Sequence, residues 1–203
     1  MNKNLQKHLL SIAVIVTFFF IASSSTVNKI HTGAFNYYNS VEEKDAKNHI
    51  VLNDGEQVYG DRIDWKTGLF VKDQIKVDNH KFAIKDVRGY LENGVYYGRL
   101  KDEYIQRIVH GPKINVYVRI VEVVSQTPGT KFTTRSKQAY HYAQKGEDGP
   151  MIAFGSQKKI RELVAGCPEA VKMATKSGRE MRRAIRKNRN YLNSIFDTYN
   201  KCN

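Results

Sequence analysis

Apolar residues recur along this chain with two different periods, and the change falls near residue 155. From about residue 48 the chain is a series of short β-branched and aromatic runs broken by turn residues, the pattern of strands. Ile50-Val51-Leu52 precedes the turn signal Asn53-Asp54-Gly55, and residues 57–65 read as the next strand. Residues 74–78 and 81–85 flank Asn79-His80 as a tight hairpin. Residues 88–92 and 95–99 flank Asn93-Gly94. That dipeptide is the strongest hairpin signal in the chain, because a type I′ turn needs positive φ at both central positions. Residues 104–110 form another strand, ended by Gly111-Pro112. In residues 114–124, Ile114, Val116, Val118 and Ile120 alternate with Asn115, Tyr117 and Arg119. A period of two predicts one buried face for the first set. Residues 139–144 and 151–154 flank the turn-rich 146–150 as a final hairpin.

After Gly155 the spacing becomes helical. Ile160, Leu163, Val164 and Cys167 fall at i, i+3, i+4 and i+7, with Ser156 as the N-cap. Pro168 opens a second helix at its first position. Ser177 and Glu180 fit a capping box, followed by Met181, Ala184 and Ile185 on one face. Leu192, Ile195, Phe196 and Tyr199 repeat the helical stripe. These apolar faces need each other or the sheet as a partner. No helical pattern separates the strands, which argues against a parallel doubly wound sheet. The fold class expected is α+β: an antiparallel β meander, as a small barrel or a sandwich, over residues 48–155, then a helical tail over 156–203.

The N-terminus differs from the rest. Lys3 and Lys7 precede an uncharged run over residues 9–22, and Ser23, Ser24 and Ser25 follow. This order is that of a secretory signal peptide over residues 1–24, with Ala22 and Ser24 as the small residues before the cut. An uncleaved inner-membrane anchor and a buried core helix are the alternatives; the run is shorter than the roughly 20 residues that span a bilayer. Residues 25–47 read as a linker or N-terminal arm. The expected address is the periplasm or the exterior.

Export changes the meaning of the charge and the cysteines. The net charge is +13, and residues 156–203 hold 12 Lys+Arg against 4 Asp+Glu, a net of +8. In a cytosolic chain this would point first to nucleic acid. In an exported one, the expected partner is an anionic envelope surface or another envelope protein, with membrane contact through the basic tail or an uncleaved N-terminus. The densest cluster is Arg179, Arg182, Arg183, Arg186, Lys187 and Arg189; it is either the solvated face of a packed helix or a contact for an anionic surface. The two cysteines, Cys167 and Cys202, are expected to pair in an oxidising compartment.

No catalytic motif, cofactor loop or metal-ligand spacing is present. Asp61 and Asp64, placed on one strand, would point to opposite faces and so make a poor acid–base pair. The strand tyrosines suit half-buried positions or a recognition surface.

Several segments carry a resemblance: IVLNDGEQVYG, FAIKDVRGYLENGVYYGRL, INVYVRIVEV, KKIRELVAGCPEAV and YLNSIFDTYN. Together they resemble small exported envelope proteins of gut- and marine-type bacteria, built as a β-rich domain with a C-terminal helical tail. The resemblance implies architecture and address, and no activity. The function expected is a non-catalytic exported envelope protein that binds or scaffolds; the alternative is an envelope hydrolase with a site assembled from scattered residues. Intact-mass analysis of the envelope protein should give a chain starting near Ser25, and a chain that retains Met1 would refute cleavage.

Overall fold

The computed structural model describes residues 46–66, 73–126, 129, 133–188 and 190–203. The expected signal segment, its expected cut and nearly all of the 25–47 arm lie outside the described residues.

The strands are β1 (His49–Leu52), β2 (Gln57–Tyr59), β3 (Ile63–Lys66), β4 (Gln74–Val77), β5 (His80–Ala83), β6 (Val87–Glu92), β7 (Val95–Leu100), β8 (Glu103–Val109), β9 (Ile114–Gln126), β10 (Thr133–Lys145) and β11 (Ile152–Phe154). A single 3-10 turn, Ile84–Asp86, joins β5 to β6. Four helices follow: α1 (Gln157–Leu163), α2 (Pro168–Ala174), α3 (Gly178–Lys187) and α4 (Tyr191–Lys201). The fold is α+β, and all pairings are antiparallel.

Eight strands form one open sheet in the order β11-β10-β9-β8-β7-β6-β1-β2, and β3-β4-β5 form a second. The large sheet ends on β2 and β11, so it does not close into a barrel, and that half of the sequence expectation is corrected. Closure needs a matched tilt and stagger around every strand. Here the small sheet and the helices instead pack over one face of the large one.

Register identifies that face. Tyr97 pairs with Gln106, and Gln106 with Val118, so the three share one side. Toward β1 this side carries Ile50, Tyr90 and Tyr104, which pack with Ile63, Ile75 and Val77 of the small sheet. Toward β11 it carries Val116, Val118, Ala143 and Phe154, which pack with Ile160, Leu163, Ile195 and Phe196 of the helices. The helical tail therefore shares the core of the sheet. The other side of the sheet buries Val51, Leu91, Tyr96, Ile105 and Tyr117.

Three local expectations change. Residues 57–65 are not one strand: Gly60 interrupts them, and β2 and β3 belong to different sheets. A Cβ on Gly60 would clash with Val77 Cγ1. The Asp61 and Arg62 N–H groups donate to the Asp78 carboxylate at 3.3 and 3.0 Å, which holds the corner. Likewise, β9 is buried on both faces at its start, because Asn115 and Tyr117 are as enclosed as Val116 and Val118. The tight turn of the second sheet lies one residue earlier than expected, at Asp78-Asn79, with Asp78 at φ 51°.

The helix signals act where they were read. Ser156 accepts from Lys159 N–H, Pro168 opens α2, and Ser177 and Glu180 form the reciprocal capping box. Helix α4 is fixed to the sheet through Asn200. Its Oδ1 accepts from Lys113 N–H and Ile114 N–H at 3.2 and 2.9 Å, and its Nδ2 donates to Ile114 O at 2.9 Å. A disulfide joins Cys167 to Cys202, with Cα atoms 5.9 Å apart. It ties the start of α2 to the end of α4.

Two stability outcomes follow from this geometry. Asn93 and Gly94 have φ of 52° and 75°, as type I′ requires. Gly94→Val should cost about 1–3 kcal/mol in urea unfolding, because a β-branched side chain is strained there; an unchanged midpoint would contradict this. Cys202→Ser should cost about 2–4 kcal/mol by the same measurement, since the bridge spans 35 residues of chain. Equal midpoints with and without the bridge would show that Asn200 and the apolar contacts hold α4 unaided.

Candidate functional site

Helix α3 carries most of the sequence-predicted cluster. Arg179, Arg183, Arg186 and Lys187 recur at i, i+4, i+7 and i+8, and this spacing collects them on one helix face. They line an open concavity of about 370 Å³. Arg182 is exposed on the flank of the same helix, and Arg189 lies outside the described residues. Among the described residues no carboxylate lies within ion-pair distance of Arg179, Arg182, Arg183, Arg186 or Lys187. The one acid within α3, Glu180, is engaged by the capping box, where its carboxylate accepts from Ser177 N–H at 2.8 Å. That bond is the main reason its pKa lies below the usual carboxylate value; the charges of Lys176 and Arg183 add to it.

The opposite face of α3 is thinly anchored. Met181 is its one buried residue, and Ile185 is 37% exposed. Between this face and the body lies a groove of about 260 Å³, walled by Phe154, Ile160, Met181, Ile185 and Leu192. His141 and Gln157 supply its polar edges. Burial pushes the His141 imidazole below its ordinary pKa, so the neutral ring is favoured. Gln157 Nε2 is shielded from solvent and has no hydrogen-bond acceptor. A shielded donor without a partner costs about 1–3 kcal/mol. The groove has no counterpart in the sequence reading, because it is assembled from β10, β11, α1, α3 and α4.

The other polar clusters hold the fold together. On the sheet face away from the helices, the Arg107 guanidinium lies 3.9 Å from the centre of the Tyr96 ring and 3.9 Å from Glu147. Tyr117 O–H donates to Gln144 Oε1 at 2.8 Å, and Gln144 Nε2 donates to the carbonyls of Glu147 and Gly149. Asp148 accepts from Arg88 at 2.8 Å. These bonds strap the loop between β10 and β11 across the strands.

The tyrosines of the described residues do not gather into one exposed patch. Tyr90 and Tyr104 are buried on one side of the large sheet and Tyr96 and Tyr117 on the other, while Tyr59 and Tyr140 are exposed on β2 and β10. Burial raises the phenol pKa of Tyr90, Tyr104 and Tyr117. Asp64 pairs with Arg62 at 3.0 Å rather than with Asp61. Its charge, after burial, raises the pKa of Glu92 on β6, a neighbour that sequence spacing did not reveal. Among the described residues no group of three or more His, Cys, Asp or Glu side chains could hold a metal ion. None of the described helices is long and apolar enough to cross a membrane. Compared with protein-family models, curated proteins and solved structures, the chain matches none.

Proposed function

We propose that the chain is an exported, non-catalytic envelope protein that binds an anionic surface through the outer face of α3. The observation that carries this reading is the concentration of four cations around one open concavity, with no carboxylate of the described residues in ion-pair contact. A solvated helix face of ordinary composition intersperses acids among its bases. Here α3 spends its single acid on its own N-terminus. The disulfide supports export, because such bonds persist in oxidising compartments. The apolar run at residues 9–22, read as a signal segment, supports the same address.

The chemistry of such contact is electrostatic and shallow. Each Lys or Arg near an anionic lipid surface contributes about 1 kcal/mol, and the attraction is screened within about 8 Å at physiological ionic strength. The four cations should therefore act together, and their effect should fall with added salt.

Co-sedimentation with vesicles of mixed anionic and zwitterionic phospholipid tests the proposal. Wild type should bind, and Arg183→Glu/Arg186→Glu should bind at least roughly tenfold more weakly, since reversing two charges removes two favourable contacts and adds two repulsive ones. Vesicles of zwitterionic lipid alone should retain neither protein. Equal binding of wild type and double variant to the anionic vesicles would overturn the reading.

A further inference from the structure

We infer that the outer edge of β9, over residues 121–125, pairs antiparallel with the same edge of a second copy of this chain, with Val123 on the two-fold axis. The inference goes beyond surface binding and uses no residue of α3.

The far end of the β9–β10 hairpin leaves the body of the large sheet. On β9, pairing with β8 ends at Val118, and on β10, pairing with β11 begins only at His141. Beyond those points the two strands run on together from Arg119↔Tyr140 to Gln126↔Thr133, and no third described strand pairs with them. Every β10 residue from Thr133 to Tyr140 is exposed, so neither face of that strand has cover, and Val124 on β9 is 58% exposed. A lone two-stranded ribbon is marginally stable in water. Its outer edges offer backbone donors and acceptors to a further strand.

The two edges differ in what they allow. On β10, Arg135 and Lys137 flank Ser136. A two-fold pairing of β10 centred on Ser136 sets Arg135 opposite Lys137, and centring on either neighbour sets a cation opposite itself. Like charges placed directly opposite are destabilising, and such cations guard an edge. On β9 the residues are Val121, Val123 and Val124 around a single acid, Glu122, then Ser125. Valine suits a sheet. Centred on Val123, this edge sets Glu122 opposite Val124 and Val121 opposite Ser125 of the second copy, with no like charges facing.

The charges of the resulting four-stranded ribbon are complementary. Within one copy Glu122 faces Lys137 across the hairpin, and its carboxylate lies 3.9 Å from Arg135. In the pair, the second copy's Val124 stands opposite Glu122, and the second copy's Arg135 stands beside that Val124. Glu122 is then placed between cations of both copies. On the other face Val123 meets Val123, with one Val121 on either side.

The alternative of adding β9 of one copy to β10 of the next displaces each copy by two strands, about 10 Å. The bodies would overlap, because the large sheet extends eight strands in that direction. A two-fold pairing sends the bodies to opposite ends of the ribbon, and it closes on itself after two copies.

Sedimentation velocity of the purified full-length chain over a concentration series tests the inference. Wild type should form a reversible dimer. Val123→Lys sets two cations on the axis and should weaken dimerisation at least roughly tenfold. Ser136→Lys adds its charge on the same face but on β10, where solvent screens it beyond about 8 Å, and should leave dimerisation unchanged. Circular dichroism spectra of both should match wild type, because both positions lie outside the core. Under mild oxidation Val123→Cys should cross-link to its own counterpart, since facing residues have Cα atoms about 4.5–5.5 Å apart, within disulfide reach. Ser125→Cys should not, because its counterpart lies four residues away along the ribbon. Arg183→Glu/Arg186→Glu should dimerise as wild type does, so surface binding and dimerisation can fail separately. A wild type that stays monomeric across the series, a dimer indifferent to Val123→Lys or equally weakened by Ser136→Lys, or cross-linking of Ser125→Cys in preference to Val123→Cys would each overturn the inference.

Discussion

One constraint shapes this molecule: an open antiparallel sheet with apolar residues on both faces must find cover for each. The demand is greatest at β8 and β9, where Ile105 and Tyr117 face one way while Ile108, Val116 and Val118 face the other. A closed barrel would turn one of those faces inward. An open sheet needs separate layers. The helical tail supplies one layer through Ile195 and Phe196, both fully buried. The strap between β10 and β11 lies over the other, with Arg107, Tyr96 and Glu147 in contact there. Asn200 and the Cys167–Cys202 bridge are the fasteners that keep the helical layer in register with β9.

This arrangement leaves α3 with little to hold it. Helices α1, α2 and α4 each contribute two buried apolar side chains to the main core, whereas α3 contributes Met181. Its integrity is instead local. A capping box satisfies its first turn, and Arg186 and Lys187 complement the dipole at its last. A helix that is stable by its own chemistry and weakly docked can present two different faces at once. The outer one is basic. The inner one roofs a groove that the rest of the core does not fill.

The local features were legible from the amino-acid order alone. The Asn93-Gly94 turn, the Ser177–Glu180 box, the Ser156 cap, Pro168 at the head of α2 and the alternation in β9 each involve residues within a few positions of one another. Their conformational preferences are set by φ/ψ sterics and by side-chain bonds to nearby backbone. The change from a two-residue to a 3.6-residue period near Gly155 likewise separated strands from helices. The cationic face of α3 followed from periodicity within one helix.

What the tertiary structure decided depends on partners distant in sequence. Whether the sheet closes rests on accumulated twist and stagger, which a period of two does not encode. Residues 57–65 read as one strand because β-favouring Val58, Tyr59, Ile63 and Trp65 lie on both sides of Gly60. Only the approach of Val77 and the Asp78 carboxylate shows that the chain must turn there. Tyr117 and Asn115 alternate with the buried set of β9, yet they are buried too, because Gln144 of β10 bonds Tyr117 and the Gly146 carbonyl just after β10 bonds Asn115. The groove beneath α3 exists because side chains from β10 through α4 converge without filling the space between them. The sequence determines which residues are apolar and which helix is basic. The pairing of distant chain segments determines which of those residues are covered, and where a donor such as Gln157 Nε2 is left without an acceptor.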